Sequence, residues 1–292
     1  VATEWRADHI HAFWASTVAS LAMAAAEMSG IPWSFTAHRF DIVENNLLLR
    51  KAGSARFVRF VSEKSLRMSG LESTTAAQKA TVLHVGIPVL SAAAAAPADG
   101  PLVALCAAAM LPVKGHRVLL QALQELKNSG VALELWLAGD GSLRPALQRE
   151  VSERGLGDRV KFLGSLSHAA LLDLYASGTV SLVVLASVDL GGGVHEAIPV
   201  CLMEAMSFAL PVIGTETGGI PELLGEGAGL LVPAQNPPVL AAAVRLLAEN
   251  SNLRHSLGQA GQRRVRTSFS ASAIAGQLAS LFANGVAPVH GR

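Results

Sequence analysis

The chain of 292 residues is long enough for about two domains, and its 51% hydrophobic content supports sizeable cores. Its 23 basic and 22 acidic residues nearly balance, which excludes wholesale nucleic-acid binding because that function leaves a basic excess. The two cysteines, Cys106 and Cys201, lie in apolar segments, so we predict no disulfide framework and a reducing, cytoplasmic compartment.

The first residues show no apolar core behind a basic end, so we expect no secretory signal there. The apolar run at 12–26 is shorter than the about 20 residues that span a bilayer. Because the first residue is Val1 and not Met, we expect a fragment or a processed product.

Residues 1–89 are predicted to form an abbreviated N-terminal domain. The strand-like runs are ADHIHA, IPWSFTA, ARFVRFVS and ATVLHVG, and the segment 14–30 predicts a helix that ends at glycine. Four strands are few for an open nucleotide-binding sheet, so this domain is expected to be incomplete. The alanine-rich segment 90–100 breaks the composition and is predicted to be a linker.

Residues 101–268 are predicted to form a second domain, in which strand-like and helix-like segments alternate regularly. The strand-like runs are PLVALCA, VALELWLAG, DRVKFLG, TVSLVVLA, LPVIGT and GLLVP. They are nearly all apolar, as expected when helices cover both faces of a sheet, so the pattern predicts an α/β fold with a doubly wound parallel sheet. Residues 269–292 are predicted to form a helix and tail that pack back on the N-terminal domain.

Two glutamates lie eight positions apart in GGGVHEAIPVCLMEAM (191–206), after the fourth strand of this domain. Pro199 predicts a helix start, which places Glu196 in the loop before the helix. Glu204 then lies in the helix, roughly 7–8 Å beyond Pro199 along the helix axis. A retaining glycoside hydrolase needs its carboxyls about 5 Å apart, so these two are expected to bind different parts of one extended, hydroxyl-rich ligand. The alternative is that Glu196 caps the helix and Glu204 is a solvated helix residue.

Glycine turns follow two further strands, in GTETGGIPELL (214–224) and AGDG (138–141). Glycine lets the backbone approach a ligand closely, and the N–H groups of a helix start suit phosphate. The alternative for each is a simple tight turn, and AGDG does not match the G-x-G-x-x-G dinucleotide fingerprint.

The segment HEAIPVCLMEAMSFALPVIGTETGGIPELL resembles the E-x7-E region of the family-four retaining glycosyltransferases with the GT-B fold. LPVKGHRVLLQAL, LAGDGSLRPALQ and VKFLGSLSHAALLDLY are similar to other segments of that family, and HIHAFWAST and SFTAHRFDI to parts of its N-terminal domain. The resemblance covers most of the chain. It implies two Rossmann-like domains with parallel sheets that face a cleft, the N-terminal one lacking its first strands and glycine-rich loop.

The resemblance also implies roles for individual residues. Glu196 would contact the hydroxyls of the donor sugar, Lys114 its diphosphate, and His38 would lie across the cleft near the transferred sugar. Glu204 would bind the ribose, and the segment 162–166 would meet the base. The other donor-binding positions would be Gly139, Gly141, Leu163, His195, Ala197, Ile198, Pro199, Val200, Gly218 and Gly219.

One departure from the family pattern concerns charge. The arginine usual five positions before the lysine is Ala109 here, so half of the cationic clamp on the diphosphate is missing. His116 and Arg144 are the candidates to replace it. Without the family, Lys114 itself would be interpreted as a surface lysine in a turn.

The sequence thus predicts a retaining glycosyltransferase that uses a UDP- or GDP-type sugar donor and a saccharide or lipid-linked acceptor. We expect no metal and no cofactor, because the sequence shows no metal-ligand cluster such as D-x-D. The alternatives are a sugar-nucleotide-binding module without turnover and, third, a nucleotide-sugar epimerase.

Two weaker patterns lie in the first domain. His9 and His11 are close in sequence but lack partners for a metal site, so core or cleft-edge positions are favoured. The stretch 50–67 carries six cations among apolar residues, which suits a solvated face or, alternatively, peripheral contact with anionic lipid.

Overall fold

Parallel strands connected through helices and loops build both parts of the chain. The computed structural model describes residues 6–89 and 101–286. Two compact units form, Val1–Gly86 with Ala271–Arg292, and Ile87–Ser270. The predicted linker 90–100 lies outside the described residues. The predicted fold class, α/β with a parallel sheet in each part, is confirmed.

The first unit contains a four-stranded parallel sheet in the order β1-β2-β3-β4. Its strands are β1 (Ile10–Ala12), β2 (Trp33–Ala37), β3 (Val58–Phe60) and β4 (Ala80–Val82), and its first helices are α1 (Thr17–Ser29), α2 (Arg39–Glu44), α3 (Leu48–Ser54) and α4 (Glu63–Ser69). On one sheet face, Phe35 pairs with Val58, and both are fully buried. Helix α1 covers this face through Ala19, Ala22, Met23 and Ala26, whose spacing places them on one side of the helix.

The second unit contains a six-stranded parallel sheet in the order β10-β9-β8-β5-β6-β7. Its strands are β5 (Leu102–Ala107), β6 (Leu133–Ala138), β7 (Val160–Gly164), β8 (Leu182–Leu185), β9 (Val212–Thr215) and β10 (Leu230–Val232). Its helices are α5 (His116–Asn128), α6 (Arg144–Glu153), α7 (His168–Ala176), α8 (Val200–Ser207), α9 (Ile220–Leu224), α10 (Pro237–Glu249) and α11 (Ser251–Ser268).

The strand order of this sheet reverses between β5 and β8, because the chain runs outward through β6 and β7 before it returns to the other side of β5. The loops that leave β5 and β8 therefore diverge and open a crevice at the carboxyl ends of the strands. In open parallel sheets, ligands bind at such a switch point.

The last helix, α12 (Ala271–Asn284), belongs to the first unit. Arg56 donates hydrogen bonds to the carbonyl oxygens of Phe282 (3.2 Å) and Ala283 (2.8 Å), near the end of this helix. At its start, a Cβ on Gly86 would lie 2.8 Å from the Cα of Ala271, so the backbones approach as only glycine allows. The contacts fix both ends of the helix.

Two cations of the stretch 50–67 are buried in the first unit and donate hydrogen bonds to its backbone. Lys51 is fully buried, and its ammonium donates to the carbonyl oxygens of Ala15 (2.7 Å) and Ser16 (2.8 Å). Arg59 is also buried and donates to the carbonyl oxygens of Leu83 and His84. Because both cations are buried, the predicted solvated face and its alternative, contact with anionic lipid, are both wrong for these two residues. No helix within 6–89 and 101–286 combines the length and apolarity needed to cross a membrane.

We expect Lys51→Met to lower the free energy of unfolding by about 3 kcal/mol, because two carbonyl oxygens lose a buried charged donor. Urea unfolding followed by circular dichroism measures the change. Arg50→Met is the matched control, since its side chain is exposed, and should change stability by less than about 0.5 kcal/mol. Equal effects of the two substitutions would contradict the prediction.

Candidate active site

A lysine and a glutamate meet at the switch point of the second unit. Lys114 follows β5 and Glu196 follows β8, and the ammonium lies 2.5 Å from Oε2 of the carboxylate. Their side chains are 22% and 11% exposed, so the pair is largely sheltered but reachable from the crevice. The structure thus brings together two of the three residues predicted to be catalytic, 82 positions apart in the chain.

Two glycines allow the loops that carry this pair to approach. Gly115 has φ +66°, and a Cβ there would collide with the carbonyl oxygen of Ala186. Gly218 has φ +61°, and a Cβ there would collide with the carbonyl oxygen of Glu196. Both positions therefore require glycine for conformation and for space. Since one glycine adjoins Lys114 and the other packs on Glu196, they set the position of the pair.

Two residues that the sequence analysis missed hold the glutamate. The hydroxyl of Ser187 donates to Oε2 of Glu196 at 3.1 Å. Thr215, the last residue of β9, donates in turn to the carbonyl oxygen of Ser187 at 2.5 Å. Both residues are buried. Both residues lie at or just after the carboxyl ends of adjacent strands, where ligands bind in open parallel sheets, so their position was a usable signal.

The segment 195–200 adopts a fixed loop before α8. Its conformation depends on four hydrogen bonds: from His195 Nδ1 to the Glu196 carbonyl oxygen, from the Ala197 N–H to Oε1 of Glu196, from the Gly219 N–H to the Ala197 carbonyl oxygen, and from the Met203 N–H to the Pro199 carbonyl oxygen. Helix α8 begins at Val200, with Pro199 at the N-cap and no side-chain cap. Glu196 therefore does not cap this helix.

Glu204, on α8, is only 13% exposed and accepts a 2.7 Å hydrogen bond from Nε2 of His168. His168 is the first residue of α7 and is itself 69% exposed. The interpretation of Glu204 as a solvated helix residue is therefore wrong. The sequence analysis did not single out His168, which lies 36 positions away.

A groove of about 290 Å³ lies where β5, β6 and β7 end. Its lining residues are Ala107, Ala108, Ala109, Ala138, Gly139, Asp140, Ser165, Leu166 and Leu171. Gly139 packs on the carbonyl oxygen of Ala108, and Gly141 on that of Met110, each with a backbone conformation that favours glycine. Leu163 lies near the end of β7 and is half-buried. Of the predicted donor-binding positions, Gly139 lines this groove, and so do Ser165 and Leu166 of the segment 162–166.

His116 does not replace the arginine missing at Ala109. Its side chain is buried, with Nε2 4.0 Å from the sulfur of Cys106. Burial, reinforced by the charge of Lys114, lowers the pKa of His116 to about 4, so the ring is neutral near pH 7. Arg144 remains, since it lies 2.5 Å from Asp140, a lining residue of the groove that also contains Ala109.

The two cysteines are free thiols, of which Cys106 is buried and Cys201 is half-buried. Burial raises the pKa of Cys201 to about 12, and burial also raises the pKa of Cys106. Both therefore remain protonated at neutral pH and are unreactive.

His38, the third residue predicted to be catalytic, lies in the first unit, immediately after β2. Its Nε2 donates to the carbonyl oxygen of Phe13 at 3.1 Å, and its ring stacks on Trp14 with 4.2 Å between centroids. Burial is the main cause that lowers the pKa of His38. The ring is therefore held by its neighbours in the loop after β1.

His9 and His11 face the interior of the first unit. His9 Nε2 and His11 Nδ1 each lie 2.7 Å from the hydroxyl oxygen of Ser34, and both rings pack against Phe57 and Phe282. Burial lowers the pKa of His11 to about 4. No group of three metal-ligating side chains occurs among the residues that the structure describes.

The chain belongs to the glycosyltransferase family described as Glycosyl transferases group 1, whose model matches residues 89–264. This match covers most of the second unit, including the Lys114–Glu196 pair. The family predicted from the E-x7-E resemblance is thereby confirmed.

Curated relatives match over more than half of the chain. The alpha-D-kanosaminyltransferase of Streptomyces kanamyceticus is 30% identical over 170 residues, which are 58% of this chain and 42% of the relative. The putative colanic acid biosynthesis glycosyltransferase WcaL of Salmonella typhimurium is 35% identical over 189 residues, 62% of this chain and 45% of the relative. The matched region spans less than half the length of these relatives.

Solved structures share the fold over nearly the whole chain. The Anabaena HepE structure in complex with UDP superposes with a TM-score of 0.80 and 20% identity, covering 96% of this chain and 80% of that one. Sucrose-phosphate synthase from Thermosynechococcus elongatus gives a TM-score of 0.76 and 22% identity, covering 97% and 74%. Both likenesses concern the fold, which agrees with the predicted pair of Rossmann-like domains.

We expect the free energy of unfolding to fall by up to about 3 kcal/mol through His116 as the pH is lowered from 6.5 towards 4. The pKa of His116 is about 4 in the folded chain and 6.5 in the unfolded one, so only the unfolded state binds this proton in that window. Urea unfolding at several pH values measures the slope. His116→Gln should flatten it, whereas His255→Gln, at an exposed position on α11, should not. If the free energy of unfolding of His116→Gln depends on pH as steeply as that of the wild type, the lowered pKa of His116 is contradicted.

Proposed function

We propose that the chain transfers a sugar from a UDP- or GDP-type donor to an acceptor hydroxyl, with retention at the anomeric carbon and without a metal ion. The observation that carries this proposal is the Lys114–Glu196 pair at the switch point of the second unit. An ammonium and a carboxylate side by side match a donor in which a diphosphate adjoins a sugar. Family membership supports the reaction class.

Each member of the pair takes one part of the donor. The Lys114 ammonium is a compact charge with three donors, and it neutralises the diphosphate as that group departs. Glu196 accepts hydrogen bonds from the sugar hydroxyls, with its carboxylate held by Ser187. Because these groups are fixed before the donor binds, little reorganisation is needed at the transition state.

The nucleoside lies along the same edge of the sheet. Glu204 accepts hydrogen bonds from the ribose hydroxyls, in place of or beside the one from His168. The groove beside Ala109 and Gly139 takes the base, since its lining is mostly small and apolar. The HepE protein was crystallised in complex with UDP, which supports a nucleoside diphosphate as the ligand here.

The acceptor is a saccharide or a lipid-linked saccharide, and His38, in the first unit, contributes to its binding. Retention is proposed from the resemblance to retaining enzymes. The acceptor oxygen forms its bond to the anomeric carbon on the face from which the diphosphate departs. The bond between the anomeric carbon and the diphosphate oxygen breaks, and its electron pair goes to that oxygen. The same oxygen then takes the proton of the acceptor hydroxyl.

One observation favours a second candidate, a sugar-nucleotide-binding module without turnover. The diphosphate clamp lacks the arginine at Ala109, and His116 is buried and neutral. Of the two candidates to replace the arginine, Arg144 remains, and it is already paired with Asp140. Binding of a donor without transfer or hydrolysis would identify this module.

We expect Glu196→Gln to lower the transfer rate at least roughly 100-fold, because the sugar loses a charged acceptor that matters most in the transition state. Release of nucleoside diphosphate from UDP- and GDP-sugars measures turnover, and calorimetric titration with UDP and GDP measures binding. Glu249→Gln, at an exposed position on α10, is the control and should keep full activity. Full activity in Glu196→Gln would overturn the proposed role.

We also expect the wild-type chain to keep its activity in excess EDTA, because Lys114 supplies the charge that a metal ion would supply. Proton NMR of the product should show the anomeric configuration of the donor. Loss of activity in EDTA that Mg²⁺ restores, or an inverted anomer, would contradict this part of the proposal.

A further inference from the structure

Three exposed aromatic residues of the first unit lie in two segments that follow adjacent strands, and one of these segments also carries His38. Phe13 and Trp14 lie in the loop after β1, and Phe40 lies in α2 just after β2, with 54%, 48% and 58% of their surfaces exposed. All three follow the carboxyl ends of adjacent parallel strands. Large aromatic rings left in solvent at a ligand-binding edge indicate a contact surface.

The loop that carries Phe13 and Trp14 is held from the interior. The buried ammonium of Lys51 donates to two successive carbonyl oxygens, those of Ala15 and Ser16. His38 donates to the carbonyl oxygen of Phe13. Burying a lysine costs free energy, and the two hydrogen bonds to the loop partly offset this cost. They also fix the conformation of the loop, although its aromatic side chains face solvent. A rigid loop with exposed rings is suited to binding rather than to packing.

Trp14 presents one free ring face. Its indole stacks on His38 with 4.2 Å between centroids and 27° between planes, which covers one side of the ring. About half of the side chain nevertheless remains exposed, so the opposite side is open. The residue behind it is fixed in turn, since the backbone N–H of His38 donates to the carboxylate of the buried Asp41 at 2.9 Å. The open face is therefore preorganised.

We propose that the open face of Trp14, backed by His38, is a stacking site for a pyranose ring of the acceptor. We call this pair the Trp14 platform. One face of a pyranose carries mainly C–H groups and lies flat on an aromatic ring, while its hydroxyls point outward. This assignment rests on the proposed function, because it names the acceptor as a saccharide and places it on the side of His38.

The surroundings of the platform favour a sugar over a lipid chain. Arg39 follows His38 directly, and its guanidinium, which carries five N–H donors, lies 4.1 Å above the ring centre of Phe40. Flat rings next to hydrogen-bond donors match a ligand with an apolar face and a polar rim. An alkyl chain would need a continuous aliphatic groove, whereas Trp14 stacks on the polar ring of His38.

Saturation-transfer NMR tests the platform with defined probes. The probes are the methyl α- and β-pyranosides of glucose, galactose, mannose and N-acetylglucosamine, and octyl β-glucopyranoside below its micelle concentration. We expect transfer to ring C–H protons with at least one glycoside, weakened roughly fivefold in Trp14→Ala and largely kept in Trp14→Phe. Met28→Ala is the control, since Met28 is 89% exposed on α1 and should bind like wild type.

Three outcomes would overturn the proposal. These are binding of no glycoside, equal loss in the Trp14 and Met28 variants, and transfer to the octyl protons in place of the ring protons. The last would assign the surface to lipid. Circular dichroism of Trp14→Ala confirms that the variant is folded.

A transfer assay separates this inference from the proposed function. With a glycoside that binds as acceptor, Trp14→Ala should raise the acceptor KM several-fold, whereas Met28→Ala should leave this KM at the wild-type value. If the wild-type chain neither binds nor hydrolyses a nucleotide sugar, the proposed function fails, while the NMR result still decides whether the platform binds a sugar.

Discussion

The Lys114–Glu196 ion pair is the interaction on which the candidate site depends. It forms because β5 and β8 are neighbouring strands at the point where the strand order reverses. The loops that follow these two strands therefore place Lys114 next to Glu196. Gly115 and Gly218 make this approach sterically feasible, since a methyl group at either position would push a loop away. Each charge of the sheltered pair is compensated by the other when no sugar donor is bound. Both charges can still interact with a donor that enters the crevice.

Outside this pair, several cations of the chain stabilise its own backbone. Lys51, Arg56 and Arg59 all donate to carbonyl oxygens, and two of them are buried. Each replaces water around carbonyl groups at the end of a strand, a loop or a helix. A stretch that carries many basic residues is therefore not necessarily a basic surface, and here it fixes the loop of the Trp14 platform and the end of α12.

The two units differ in how completely their proposed chemistry is built. In the second unit, the groups proposed to bind the donor are the Glu196 carboxylate, the Lys114 ammonium and the Glu204 carboxylate, together with the groove at the ends of β5, β6 and β7. In the first unit, the proposed chemistry is concentrated on His38 and the aromatic residues near it. This division is physically reasonable, because a donor needs charged groups at fixed distances, whereas a neutral saccharide needs a flat apolar face with polar neighbours.

Glu196 and Glu204 became candidates for the site through their spacing around Pro199, and Lys114 became one only through the family resemblance. The sequence by itself determined the alternation of strands and helices, the parallel sheets and the glycine turns. These follow from local periodicity and from glycine and proline, whose effects act within a few residues. Only the tertiary structure decided the partners: Ser187 and Thr215 for Glu196, His168 for Glu204, and Trp14 for His38. It also decided that Lys51 and His116 are buried, because burial depends on which distant segments pack against a residue, and no local pattern carries that information.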